Sequence, residues 1–148
     1  MENNTQQILS TVIETVLEQV AFVFIDEKGE TCKPESPDWK TLGASIKMTG
    51  AICGRIHLWI STTLASSIAA NMLGIDSLDD IKKSGDAVKE LCNIIAGNFL
   101  TSAYQNAEIN LGIPEILSAD SLEIDYDDPM AIWFSAEDEL ILVSIKES

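Results

Sequence analysis

Asp86, Glu90, Asn93 and Gly97 are spaced at i, i+4, i+7 and i+11 within the segment 84–98, Ser-Gly-Asp-Ala-Val-Lys-Glu-Leu-Cys-Asn-Ile-Ile-Ala-Gly-Asn. On a helix of 3.6 residues per turn these positions fall on one stripe. Val88, Leu91, Cys92, Ile95 and Phe99 make a separate apolar face. A carboxylate and a carboxamide one turn apart, beside a glycine, form a flat polar ridge that a partner can approach closely. Exposed Glu and Asn are also commonplace on helices, so composition alone favours a merely solvated face. Against that, Asn and Gly are weaker helix formers than Lys, Glu or Ala. Two weak formers on one exposed line of an otherwise strong helix imply that something other than helix stability benefits from them.

The other chemistry-bearing residues have bland readings. No G-x-x-x-x-G-K-[ST], G-x-S-x-G, H-E-x-x-H or G-x-G-x-x-G pattern occurs. His57, the sole histidine, lies in an expected strand beside Leu58 and Trp59 and has no evident partner for general-base work. Cys92 lies on the apolar side of the ridge helix and reads as a small buried hydrophobe. Asp125, Asp127 and Asp128 lack the spacing and distal Glu of a calcium loop and read as a solvated turn before Pro129. Asp76, Asp79 and Asp80 place negative charge at the start of the ridge helix, where it is favoured.

The elements that position the ridge follow from periodicity. Leu9, Val12, Ile13, Val16, Leu17 and Val20 predict a helix over 5–20. Ala21 to Ile25 reads as a short buried strand, and 27–39 as a polar, proline-bearing loop. Strands are expected over 44–49 and 51–60, with Gly50 at a tight turn and Gly54 at a bulge or close backbone approach. Ser61-Thr62-Thr63 can cap a helix that stops at Gly74. The long helix is expected over about 79–105 and a loop over 107–113, followed by strands at 121–126, 131–134 and 139–146. The order lacks βαβ alternation, which argues for an α+β fold with helices layered on a mostly antiparallel sheet. Residues 1–148 read as a single domain.

The 148 residues carry 24 acidic and 9 basic side chains, a net charge of −15. Such a chain has no evident means of neutralising a phosphate backbone or an anionic bilayer, so neither nucleic acid nor membrane is an expected partner. The charge steers it toward basic protein surfaces. Cys32, Cys53 and Cys92 are odd in number and form no Cys-x-x-Cys pair, which reads as reduced thiols in a cytoplasmic protein. The first residues resemble no secretory signal, and no apolar run reaches a membrane span's length.

The motif Asp86-Ala-Val-Lys-Glu90-Leu-Cys-Asn93, with Pro114 downstream and Gly97 one turn on, resembles the hallmark of the CheX/CheC/FliY phosphatases of bacterial chemotaxis. That hallmark is Asp or Ser, three residues, Glu, two residues, Asn, then a proline some twenty residues later. Further similarity lies in Thr49-Gly-Ala-Ile-Cys-Gly54, Ala70-Asn-Met-Leu-Gly74 and Ile113-Pro114, so it spans most of residues 44–146. CheC-type members carry two such motifs in a longer chain; the single copy here is the CheX pattern. The gap to Pro114, with 20 intervening residues, is slightly shorter than is common in CheC and reads as loop variation.

The resemblance implies a CheC-like fold and hydrolysis of the aspartyl phosphate on a phosphorylated CheY-like response regulator. Asn93 would orient the attacking water, and Glu90 would dock a regulator lysine. Gly97 would keep the helix surface low, and Asp86 would lie at the contact edge. The chain itself would bind no metal or cofactor, the Mg²⁺ being the regulator's own, and it would form a homodimer by joining sheets. Two other readings compete: a regulator-binding module on the same fold without hydrolysis, and a structural interaction protein whose ridge is only solvated.

Overall fold

Leu9, Val12, Ile13, Val16 and Leu17 are buried at helical spacing. They form the inner face of helix α1, Glu2–Ala21, in a computed structural model that describes residues 2–35, 39–117 and 124–147. A two-residue strand β1, Glu27–Lys28, and a 3-10 turn, Glu30–Cys32, follow. The central hairpin is β2, Thr41–Gly50, and β3, Gly54–Ser61. Two helices come next, α2, Thr62–Leu73, and α3, Ile81–Ala103. Short strands β4, Ile109–Leu111, and β5, Glu115–Leu117, precede the hairpin of β6, Ile132–Ala136, and β7, Glu139–Glu147.

Among the described residues, seven strands form one sheet in the order β1-β6-β7-β3-β2-β4, with β5 also pairing with β2, and each of these pairings is antiparallel. β4 meets residues 48–50 of β2 and β5 meets residues 43–45, so two short pieces share one edge. The period-2 pattern gives the sheet two faces. Leu42, Ala44, Ile46 and Met48 of β2, with Ile56, Leu58 and Ile60 of β3, join the core beneath the helices. Trp59, Trp133 and Leu142 face the other way, in a smaller cluster with Cys32 and Ile124. This is the expected α+β layering of helices on an antiparallel sheet.

Several local expectations are corrected. Ala21–Ile25 is not a strand. Phe22 takes a left-handed φ of 55°, and Val23 N–H donates to Leu17 O at 3.0 Å, so the apolar run closes α1 instead of entering the sheet. The strand expected from Ala51 begins at Gly54. Residues 51–53 form the hairpin turn, where Ala51 N–H bonds Glu108 O at 3.0 Å. Gly50 has φ 113°, and a Cβ on Gly54 would collide with the carbonyl oxygen of Lys146, so close backbone approach explains Gly54. Ser61 does precede α2, but its hydroxyl makes no cap bond. The loop expected over 107–113 contains β4, and β5 falls where no strand was expected. The strand expected over 121–126 lies partly outside the described residues, and 124–126 is not a strand.

Candidate functional site

The ridge helix is set in place at both ends and along one side. Asp80 caps α3, its carboxylate accepting from Lys82 N–H at 3.0 Å and Lys83 N–H at 3.3 Å. An acidic cap also suits the positive end of the helix dipole. Val88, Leu91, Cys92, Ile95, Ala96 and Phe99 are buried in the core. Fully burying a Leu or Phe side chain stabilises a fold by about 1.5–3 kcal/mol, so this face fixes the rotation of α3. The opposite side must then face solvent. There Asp86 and Glu90 are exposed, and Asn93 and Gly97 are half-buried.

The four stripe residues differ in their surroundings. Asp86 pairs with Lys89, one turn on, at 3.5 Å. Such exposed pairs contribute little, and Lys89 partly neutralises this end of the ridge. No ion pair or hydrogen bond reaches the side chain of Glu90 or Asn93 from any described residue. The nearby polar side chains behave differently. Asn98 Nδ2 donates to Ile94 O at 3.0 Å, Thr101 Oγ1 to Gly97 O at 3.0 Å, and Asn71 Nδ2 to Ala21 O at 2.8 Å. Asn93 is thus an asparagine whose donors and acceptor remain available, one turn from an unpaired carboxylate. Among the described residues, a Cβ on Gly97 would meet nothing within 4 Å. Packing therefore does not require glycine at 97, and the surface above it is open.

The alternatives weaken on inspection. Burial of Cys92 pushes its thiol up to about 12, so it is no nucleophile at neutral pH. His57, on β3, has a pKa lowered by burial and then by Lys146 and Arg55, with Asp128 opposing. Its Nδ1 is buried without a hydrogen-bond partner among the described residues, so nothing orients it as a base. The acidic turn is tied to backbone: Asp125 accepts from Asp127 N–H at 3.1 Å and Asp128 from Met130 N–H at 2.9 Å. Among the described residues, no group of three or more His, Cys, Asp or Glu is placed to hold a metal ion. No described helix is long and apolar enough to cross a membrane.

A neighbour of the ridge went unread in the sequence. Ile116 of β5 packs over the first turns of α3, its Cδ1 3.3 Å from where a Cβ on Gly85 would stand. The signal was the run Ile-Pro-Glu-Ile, which reads as a loop because Pro114 punctuates it.

A family model described as "Chemotaxis phosphatase CheX" matches residues 42–135, which include the whole ridge. No curated protein matches the sequence. Among solved structures, a chemotaxis protein CheX from Desulfovibrio desulfuricans is similar, with 20% identity and a TM-score of 0.75 over 98% of this chain and 99% of that one. CheX from Vibrio vulnificus aligns at 20% identity and a TM-score of 0.75, covering 100% and 99% of the two chains. A CheX–CheY–BeF3–Mg²⁺ complex from Borrelia burgdorferi aligns at 18% identity and a TM-score of 0.71, covering 95% and 96%. At these identities the structures show the shared fold, and the family model supplies the membership: the chain belongs to the chemotaxis phosphatase CheX family.

Proposed function

We propose that this protein hydrolyses the aspartyl phosphate of a CheY-like response regulator, with Asn93 holding the attacking water and Glu90 docking the regulator. The observation that carries the reading is the Asn93 amide, left without a partner among the described residues on an outward helix face, one turn from a Glu90 that is likewise unpaired among them. Membership of the CheX family and the similar CheX–CheY–BeF3–Mg²⁺ complex support the substrate class.

The chemistry suits these two side chains. An acyl phosphate is already activated, so the catalyst chiefly has to place water in line with phosphorus and tolerate the charge that develops. The water oxygen bonds to phosphorus as the bond from phosphorus to the aspartyl oxygen breaks. Inorganic phosphate leaves, and the regulator's carboxylate is restored. A carboxamide accepts from the water through its oxygen and donates through its nitrogen. Being neutral, it approaches the phosphoryl group without repulsion. A carboxylate there would be repelled, which leaves Glu90 to pair with a lysine beside the phosphorylation site. The divalent cation belongs to the regulator in this scheme, and the phosphatase supplies no metal ligand.

The test is phosphate release from regulators charged with acetyl phosphate, with and without this protein. Decay accelerated in proportion to the protein added is the expected result. A panel of charged regulators decaying at their intrinsic rates would reject the function.

A further inference from the structure

An open cavity of about 700 Å³ lies between α2, the link 74–80 and the start of α3, and neither Glu90 nor Asn93 lines it. That is the volume of a small-ligand site. The fold holds it open: Ser66 Oγ donates to Leu78 O, which ties the link to α2, and Asp80 caps α3. Asp76, Asp79, Asp80 and Glu137 line it, and no described lysine, arginine or histidine does. Asp80 serves the helix cap. The carboxylates of Asp76, Asp79 and Glu137 have no hydrogen bond or ion pair to any described residue. Three lysines stand nearby. Lys82 and Lys83 share the first turn of α3, but Ile81 and Ser84, three residues apart, face the cavity, which turns those lysines to other sides of the helix. Lys40 precedes β2 and is exposed. The positive ends of α2 and α3 add about half a charge each. Asp138, next to Glu137, makes five carboxylates against these, so this end of the molecule stays negative.

Ser84 is an independent pointer to a ligand. It is 3% exposed and lines the cavity. Its backbone N–H donates to Asp80 O at 3.0 Å, but its hydroxyl has no partner among the described residues. Ser67 and Thr101, by contrast, turn their hydroxyls back to the carbonyl four residues earlier. A buried hydroxyl left unpaired is costly, and here only the cavity can supply its partner.

We propose that this cavity binds a linear aliphatic polyamine, its ammonium groups set against Asp76, Asp79 and Glu137, its methylenes along Leu78 and Ile81, and one N–H donating to the Ser84 hydroxyl. The carboxylates repel phosphates and nucleotides. A bare metal ion is a poorer occupant, because no three His, Cys, Asp or Glu side chains among the described residues converge to hold one, and hard cations require several converging oxygens. Carboxylates spread over a cavity with apolar surface between them match cations spaced along a hydrocarbon chain. Ammonium groups donate and cannot accept, which suits a lining of carboxylates and hydroxyls.

The test is calorimetric titration of the full chain with spermidine, butylamine and Mg²⁺ at physiological ionic strength, where loose counterion attraction is screened. Two charge-matched double variants are compared. Asp79→Asn with Glu137→Gln removes two carboxylates from the cavity. Glu108→Gln with Glu147→Gln removes two from the opposite end of β2 and β3, where Glu147 pairs with Gly54 and Glu108 O accepts from Ala51 N–H. Saturable spermidine binding that raises the melting temperature is expected, with butylamine and Mg²⁺ far weaker. The cavity pair should raise the spermidine Kd about 10-fold and the matched pair change it by less than about twofold. Ser84→Ala, a helix-compatible change, should raise it about fivefold. Absence of saturable binding would overturn the proposal. So would equal weakening in both double variants, because spermidine would then answer only to net charge. Mg²⁺ that binds one per chain and displaces spermidine, or butylamine that binds as tightly, would overturn it as well. Should the cavity pair melt lower than wild type without ligand, Ser84→Ala decides, and an unchanged Kd there sinks the assignment. The titration needs no regulator, so its outcome is independent of the activity proposed above.

Discussion

Asn93 and Gly97 lie one turn apart on the outer side of α3, and apart from that stretch of helix no described residue comes within 4 Å of where a Cβ on Gly97 would stand. The amide is therefore flanked by a low, empty surface. The fold gains nothing from glycine at this position, since an interior helical glycine costs about 0.5–1 kcal/mol relative to alanine. Under the proposed function, the vacancy would give the regulator access to Asn93.

Stability and activity should accordingly diverge at Gly97. Gly97→Ala is expected to stabilise the protein by about 0.5–1 kcal/mol in urea unfolding. A bulkier Gly97→Leu should fold equally well but raise KM for the phosphorylated regulator. A Gly97→Leu enzyme with unaltered KM would show that no partner approaches this surface.

Glu90 is exposed and unpaired among the described residues, so its contribution should appear in binding and in salt dependence. Glu90→Ala is expected to weaken regulator binding about 10-fold at low salt and less at high salt, as screening removes the charge contact. Glu90→Lys should weaken it further. Calorimetric titration at two ionic strengths measures this, and equal affinities for wild type and both variants would remove Glu90 from the docking role.

The thiols should separate by burial. Cys53 is exposed, whereas Cys32 and Cys92 are buried. A chromogenic disulfide reagent should react quickly with one thiol in the native protein, and that fast phase should vanish in Cys53→Ser. Because the Cys92 thiol is pushed up to about 12 from 9.0, its deprotonation is favoured only in the unfolded chain. Its contribution to stability is complete below pH 9 and is lost as pH rises from 9 toward 12. Cys92→Ala should flatten that part of a stability-versus-pH curve.

His57 should act at the acid end. Burial first, then Lys146 and Arg55, lower its pKa below 6.5. The unfolded chain therefore takes up a proton near pH 6.5 that the folded chain binds less readily. Stability from this group is full above pH 6.5 and falls as pH drops below it. His57→Gln should reduce the slope of melting temperature against pH between about 5 and 7, while activity at pH 7.5 stays unchanged. A His57→Gln protein with little residual activity would contradict the assignment of catalysis to the ridge.

The main elements were legible because their signals were periodic. The apolar stripe of α3 fixed which side of the helix is buried, and with it the outward placement of Glu90 and Asn93. Gly74 ended α2 in a left-handed conformation, φ 71°, as its position after Leu73 indicated. The failures came where a local pattern met a tertiary constraint. The run Ala-Phe-Val-Phe-Ile has strand composition, yet Phe22 and Phe24 stay exposed while Val23 is buried, because the chain is turning off α1. β4 and β5 are three residues each, too short to show alternation, and they are strands only by pairing with the outer edge of β2. The Asp86–Lys89 pair is an i,i+3 contact that spacing on one helix already offers, whereas the packing of Ile116 beside Gly85 was not legible, because it depends on side chains meeting across the folded surface.

The central claim is most directly tested by single-turnover dephosphorylation with Asn93→Ala at saturating enzyme, alongside affinity for the beryllofluoride-charged regulator. The predicted result is affinity within about threefold of wild type and hydrolysis slower by roughly 10²–10³. A variant that binds normally and clears phosphate at the wild-type rate would contradict it.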